Sequence, residues 1–104
     1  MSNNNKKYGL KKERELKKLL SKTAMEVVRS RGSFGTFDIV AFYSDCCKLI
    51  SVKSVRTKYW SMKAELEQLK KTKVPCYCKK YLYIYWSPRA DRNNKGWEVI
   101  EIDQ

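Results

Sequence analysis

Three charged residues occupy positions where the predicted secondary structure does not favour a charged side chain. Glu13 projects from the middle of the apolar side of a predicted helix, where a carboxylate is costly unless another group pairs with it. Asp38 heads an apolar strand although aspartate is depleted in strands, and Lys53 ends the strand that follows. Each also has an ordinary interpretation: Glu13 bonded to an arginine or the backbone, Asp38 capping a turn, and Lys53 in solvent at a strand end.

Together these side chains are suited to the hydrolysis of phosphodiesters. Two carboxylates can hold Mg²⁺, which neutralises developing charge and lowers the pKa of bound water. A lysine near that water can orient it or stabilise charge on the reacting phosphate. This chemistry needs no imidazole. The sequence contains no histidine, which excludes histidine-based catalytic triads and Cys/His zinc fingers.

The composition favours a polyanionic partner. The 104 residues contain 23 Lys plus Arg against 11 Asp plus Glu, a net charge of +12, and 42% of them are hydrophobic. This length predicts one domain with a single core, and the basic excess makes nucleic acid the leading candidate for the partner. The sequence shows no signal peptide and no apolar run that could span a membrane, which predicts an intracellular, cytoplasmic protein.

The pattern of apolar residues predicts an α/β domain with the element order α-β-β-β-α-β-β. Residues 1–7 are expected to form a disordered basic leader, and residues 8–104 a single domain. The first helix is predicted over 8–23, and the second runs from Ser61, its expected N-cap, to about residue 72. The predicted strands span 25–30, 37–43, 47–53, 76–86 and 97–102. This order favours a central mixed five-stranded sheet flanked by helices.

A hairpin between the second and third predicted strands would bring the candidate residues together. If Ser44 and Asp45 form its turn, residues whose numbers sum to about 90 lie opposite each other. Asp38 then faces the region of Val52. Ser51 and Lys53 lie at the same end of the sheet.

Four motifs occur in order along almost the whole chain. Residues 9–16 are Gly-Leu-Lys-Lys-Glu-Arg-Glu-Leu, and residues 28–33 are Val-Arg-Ser-Arg-Gly-Ser. Residues 38–41 are Asp-Ile-Val-Ala, and residues 96–100 are Gly-Trp-Glu-Val-Ile. In this combination the chain resembles the archaeal Holliday-junction resolvases of the PD-(D/E)xK nuclease superfamily. The resemblance implies a restriction-endonuclease-like fold.

The resemblance also implies roles for the candidate residues, with one departure. It makes Glu13 and Asp38 metal ligands and gives Lys53 the task of positioning the nucleophilic water. The family has Glu-x-Lys on the third strand, whereas this chain has Ser51-Val52-Lys53. A serine hydroxyl is neutral and is a much poorer Mg²⁺ ligand than a carboxylate. The metal site is therefore either lost or completed by another acidic residue.

The predicted second helix offers two substitutes for the missing carboxylate. Some restriction endonucleases of the superfamily also have Ser-x-Lys and take the acid from the following helix, where this chain has Glu65 and Glu67. The distance from Lys53 favours Glu67 in that analogy. Helical geometry instead places Glu65 beside the apolar stripe and Glu67 further out. Both glutamates also have an ordinary interpretation as surface residues in local ion pairs.

Three groups of basic and serine residues converge on these positions and predict contacts with DNA phosphates. The predicted set comprises Lys11, Lys12, Arg14, Arg29, Arg31, Ser33, Ser54, Arg56 and Lys58. A row of tyrosines alternates along the fourth predicted strand, which favours packing in the core or an interface over stacking on bases. The row consists of Tyr77, Tyr81, Tyr83 and Tyr85.

The resulting hypothesis is a Mg²⁺-dependent, structure-specific DNA endonuclease, with Mn²⁺ able to replace Mg²⁺ and no organic cofactor. By resemblance it acts as a homodimer on branched double-stranded DNA such as four-way junctions, without a membrane partner. Ser51 favours a rival hypothesis, a catalytically inactive junction-binding protein that keeps the nuclease fold. A small basic RNA-binding domain is a third alternative, for which the sequence has no known motif.

Overall fold

Two helices and five strands follow one another, among the described residues, in the predicted order α-β-β-β-α-β-β. The computed structural model describes residues 2–29, 37–56, 61–87 and 96–102, with side chains from residue 8 onward. The helices are α1 (Ser2–Leu20) and α2 (Lys63–Lys71). The strands are β1 (Glu26–Arg29), β2 (Ile39–Phe42), β3 (Cys47–Val55), β4 (Cys78–Trp86) and β5 (Gly96–Ile102).

The strands form a mixed sheet in the sequential order β1-β2-β3-β4-β5, which confirms the predicted fold class. Neighbours are antiparallel except for β3 and β4, which are parallel and joined by a crossover that contains α2. A parallel pair needs such a crossover because a tight turn can only reverse the chain. In the β2–β3 hairpin Ile39 lies opposite Ile50 and Val40 opposite Leu49, within one position of the predicted register.

The two helices pack against opposite faces of the sheet. Because side chains alternate along a strand, Ile50 and Val52 of β3 point toward α1, whereas Val55 points toward α2. The core beneath α1 contains Leu16, Leu20, Val27, Ile39, Ala41, Ile50, Val52 and Tyr81. The core beneath α2 contains Phe37, Val55, Leu69, Leu82, Ile84, Trp86 and Ile102. Side chains of α1 therefore approach the sheet from one face, and side chains of α2 approach it from the other.

Helix α1 differs from its predicted bounds at both ends. Residues 2–7 are helical, so the prediction of a disordered leader is wrong for them, and Gly9 lies inside the helix. A polar segment can extend an existing helix because propagation is easier than nucleation. At the other end α1 stops at Leu20 instead of residue 23. The chain turns there, with the Ser21 hydroxyl donating to the Lys17 carbonyl at 2.7 Å.

Two further element ends also differ from the predictions. Met62, not Ser61, is the N-cap of α2, and the Ser61 hydroxyl instead accepts a hydrogen bond from the Lys63 amide at 3.3 Å. Strand β4 begins at Cys78 instead of residue 76, so the exposed Tyr77 lies outside the strand and outside the tyrosine row. Of the remaining tyrosines, Tyr81 belongs to the core beneath α1 and Tyr83 packs against it, in agreement with the prediction, and the Tyr85 ring lies 5.2 Å from the ring of Trp97 on β5.

Some predicted features fall outside the described residues. They include residue 30 of the first predicted strand and the predicted DNA contacts Arg31, Ser33 and Lys58. Within the part of the chain that the structure does describe, neither helix is long and apolar enough to cross a membrane.

Candidate active site

Asp38 lies at the entry to β2 and is bonded to β3 in two ways. Its amide donates to the Ile50 carbonyl at 2.8 Å, and its Oδ2 accepts a hydrogen bond from the Val52 amide at 2.7 Å. These bonds hold the carboxylate against β3 at the position that the hairpin register predicts.

Helix α2 brings a carboxylate to Lys53. The Nζ of Lys53 lies 3.3 Å from Oε1 of Glu65, and both side chains are partly exposed. Glu65 also lies close enough to Asp38 for the two charges to repel. Glu67 is exposed and lines a shallow depression with Gln68 and Lys71. Of the two glutamates that the sequence left open, the structure brings Glu65 to the site and leaves Glu67 outside it.

Ser51 is buried on β3, two positions before Lys53 and therefore on the same face of the sheet. It is 3% exposed and lies beside Leu82 of β4. Its hydroxyl offers Lys53 no negative charge. The opposing charge comes instead from Glu65, on the helix above that face.

Glu13 is half-buried on α1 and faces Arg29 at the end of β1. The Nε of Arg29 lies 3.8 Å from Oε1 of Glu13, which is an ion pair but too long for a hydrogen bond. Among the described residues this Nε is a buried nitrogen without a hydrogen-bond partner. Arg29 thus partly compensates the buried charge of Glu13. The carboxylates of Glu13 and Asp38 still repel each other.

Burial and mutual repulsion raise the pKa of two of these acids. For Glu13 burial is the main cause of the raised pKa, the charge of Asp38 adds to it, and Arg29 opposes it. For Asp38 burial is again the main cause of the raised pKa; the Val52 amide and Lys53 oppose it, and Glu65 adds to it. Neighbouring carboxyl groups with raised pKa values are typical of functional sites, because a structure optimised only for stability would avoid them.

Asp38→Asn is expected to raise the Tm of the metal-free protein at neutral pH. Because folding raises the pKa of Asp38, the stability linked to its titration is complete below the unfolded pKa and is lost as the pH rises through the folded pKa. The asparagine amide oxygen can still accept from the Val52 amide. The gain in Tm, measured by circular dichroism in EDTA, should shrink below about pH 4. A lower Tm than wild type at neutral pH would contradict this, and Asp45→Asn in the exposed hairpin turn is the control.

The donor atoms at this site suit Mg²⁺. Glu13, Asp38 and Glu65 offer carboxylate oxygens, the hard donors that Mg²⁺ prefers, and a cation would relieve their repulsion. In the described ranges, no three or more Asp, Glu, Cys or His side chains are already grouped closely enough to hold a metal ion. Mg²⁺ commonly needs only one or two carboxylates, with water and substrate phosphate completing its shell. The residues present therefore fit this ion.

Lys12, predicted to contact DNA, instead interacts inside the protein. It is 9% exposed, its Nζ lies 2.8 Å from Oε2 of Glu15, and it lies 3.7 Å from the centre of the Tyr85 ring. Tyr8, one helical turn earlier, provides a second ring at 5.5 Å. Sequence reasoning gave Tyr8 no role, although its spacing of four residues from Lys12 could have indicated the contact.

The other residues that were predicted to contact DNA differ in their exposure, and some of them lie outside the described residues. Lys11 and Arg14 are exposed on α1, and Ser54 is half-buried on β3. Arg56 follows β3, with its guanidinium 4.9 Å from the centre of the Tyr8 ring. The remaining three predicted contacts, Arg31, Ser33 and Lys58, lie outside the described residues.

Comparisons with known proteins agree with this arrangement of elements. The family model described as archaeal Holliday junction resolvase (hjc) matches residues 4–104. The chain is similar to the solved structure of Archaeoglobus fulgidus Hjc, a Holliday junction resolvase from an archaeal hyperthermophile. The TM-score is 0.61 at 25% identity, covering 88% of this chain and 73% of that one. A search of curated proteins gave no match. The family match spans nearly the whole chain, and the chain belongs to the archaeal Holliday junction resolvase family.

Proposed function

We propose that this chain is a metal-dependent endonuclease that hydrolyses phosphodiester bonds at four-way DNA junctions. The observation that carries the proposal is the contact between Lys53 and Glu65, because it gives the site the carboxylate that Ser51 does not. Glu65 and Asp38 both lie near Lys53, and Glu13 from α1 lies near Asp38, so acidic groups from three parts of the chain come close to one another. Carboxylates that can bind a metal ion beside a lysine support metal-assisted phosphodiester hydrolysis.

Each group has a role that follows from its surroundings. Asp38, held by the Val52 amide, and Glu65 would bind the metal, and Glu13 would complete the shell directly or through water. When bound, Mg²⁺ supplies positive charge at the scissile phosphate. Lys53 would orient the attacking water and stabilise charge on the phosphate. Arg29 opposes the rise in the pKa of Glu13 and so favours its ionised form.

Substrate recognition would rest on DNA shape and phosphate contacts, with little reading of bases. The exposed Lys11 and Arg14 of α1 would contact DNA phosphates near the site. We include a homodimer in the proposal, because a four-way junction has two equivalent strands to cut and a two-fold dimer offers one site to each. Sedimentation equilibrium tests this, and a monomer at concentrations that cut both strands would contradict it.

The proposed activity is tested by cleavage of a labelled four-way junction in Mg²⁺, Mn²⁺ or EDTA, with binding measured in parallel. We expect cutting that requires the metal, and much slower cutting of a linear duplex of the same sequence. Tight junction binding without cutting in either metal would support the non-catalytic rival, which Ser51 favours. Equal affinity for junction and duplex would contradict both functions.

Arg14→Ala is expected to weaken junction binding through loss of a phosphate contact. Removing one such contact should lower the slope of log affinity against log salt by about one, whatever the DNA sequence. Fluorescence anisotropy at several salt concentrations measures the slope. Lys71→Ala, which removes an exposed charge in the last turn of α2, on the opposite face of the sheet from α1, is the control and should change the slope less. An unchanged slope in Arg14→Ala would show that Arg14 does not contact phosphate.

A further inference from the structure

Lys80 is a buried lysine on the sheet face that α2 covers. Only 2% of the residue is exposed, although burying an ammonium is costly unless its hydrogen bonds are satisfied. Its position in β4 explains the burial, because it alternates with Leu82 and Ile84, which both belong to the core beneath α2. The same alternation in the sequence could have indicated a buried lysine that needs partners.

The ammonium of Lys80 binds the C-terminal end of α2. Its Nζ donates to the carbonyl oxygens of Leu69 at 2.6 Å, Thr72 at 2.8 Å and Lys70 at 3.4 Å. The last carbonyls of a helix lack partners within the helix and carry the negative end of its dipole. A buried ammonium donates hydrogen bonds to these carbonyls and also complements their negative charge. Lys80 therefore caps α2 from the neighbouring sheet.

Few other directed contacts fix the position of α2. The helix has nine residues, fewer than an isolated helix needs for stability in water, and Leu69 is the buried one among them. Its N-cap residue, Met62, makes no side-chain hydrogen bond to the helix. Leu69 packs on the core beneath α2 together with the partly buried Leu66 and Met62, but such apolar contacts are non-directional and restrict rotation and sliding of the helix less than directed bonds do. Directed hydrogen bonds from Lys80 restrict both motions.

We propose that Lys80 is a positioning residue for the candidate active site, because by capping α2 it holds Glu65 against Lys53. Glu65 lies one helical turn before Leu69, so a rotation or slide of α2 moves its carboxylate away from Lys53. The catalytic consequence rests on the proposed function. The effect on α2 itself does not, and it can be measured in the metal-free protein.

The first test compares Lys80→Met, which keeps most of the apolar stem and removes the ammonium, with Lys79→Met. Lys79 is the exposed neighbour on β4 and gives a matched loss of charge. In the metal-free full chain, amide hydrogen exchange throughout α2 should be faster in Lys80→Met and unchanged in Lys79→Met. The affinity for Mn²⁺, measured by isothermal titration calorimetry, should fall about tenfold in Lys80→Met only.

A double-mutant cycle with Glu65→Gln separates positioning from a general loss of structure. If Lys80 acts through Glu65, adding Lys80→Met to Glu65→Gln lowers the Mn²⁺ affinity no further. A loss equal to that in the wild-type background would overturn the inference. If Lys80→Met does not fold, Lys80→Gln, which keeps two hydrogen-bond donors, replaces it in the same double-mutant cycle.

The two proposals fail in different ways. A wild-type chain that neither binds Mn²⁺ nor cuts the junction overturns the proposed function, and α2 exchange then still tests Lys80. Unchanged α2 exchange in Lys80→Met overturns the inference about Lys80 alone.

Discussion

Asp38→Asn is expected to slow junction cleavage by about a thousandfold while junction affinity stays close to that of the wild type. The substitution keeps an oxygen for the Val52 amide, so the local backbone is retained, but it removes the charge proposed to bind the metal. Losing a metal ligand costs several kcal/mol of transition-state stabilisation, and each tenfold in rate corresponds to about 1.4 kcal/mol. Single-turnover cleavage at saturating Mg²⁺ measures the change.

The Tm of Asp38→Asn is the control for a loss of folded protein. Because Asp38→Asn is also expected to raise the Tm of the metal-free protein, a slower rate together with a higher Tm cannot come from unfolding. Asp45→Asn removes a carboxylate of the same type from the exposed hairpin turn and should cut like the wild type. Cleavage by Asp38→Asn at the wild-type rate would remove Asp38 from the site.

Glu65→Gln is expected to slow cleavage by about a hundredfold, and Glu67→Gln to leave it unchanged. The two residues lie on the same short helix, but Glu65 contacts Lys53, whereas Glu67 is exposed outside the site. The comparison therefore holds the helix, the residue type and the change of charge constant. Equal rates in the two variants would show that α2 supplies no ligand.

Adding Ser51→Glu to Glu65→Gln should restore much of the lost rate, because it moves the carboxylate to the strand that carries Lys53. Ser51 is buried, so the added charge should lower the Tm in EDTA and should do so less in Mn²⁺. A metal-dependent recovery of both rate and Tm would identify Glu65 as the substitute for the missing strand acid. Recovery of neither would contradict that assignment.

The order of elements and the Asp38–Val52 contact could be predicted because they depend on local patterns. Alternating apolar residues define β2 and β3, and a turn at Ser44 and Asp45 fixes their register to within one position. Side chains that reach across elements could not be predicted in the same way. Helical spacing gives the direction of a side chain from its helix axis, but not where that axis crosses the sheet.

This limit accounts for two different outcomes at the site. Lys12 points toward the rings of Tyr8 and Tyr85 because of where the N-terminal half of α1 lies over the sheet. Whether Glu65 or Glu67 reaches Lys53 depends on the position and rotation of α2 over the sheet. The hydrogen bonds from Lys80 help to fix that position. Neither position follows from the residues of the helix alone.

The parallel pairing of β3 with β4 also favours one order of folding. β1, β2 and β3 pair with their neighbours in sequence, as do β4 and β5, but β3 meets β4 only across the crossover from Val55 to Cys78. Loop-closure entropy opposes such distant contacts, so the two antiparallel units can form before the parallel ladder that joins them. Asp38 and Lys53 belong to the first unit and Glu65 to the crossover. The contact between Glu65 and Lys53 is therefore completed only when the crossover packs on the sheet.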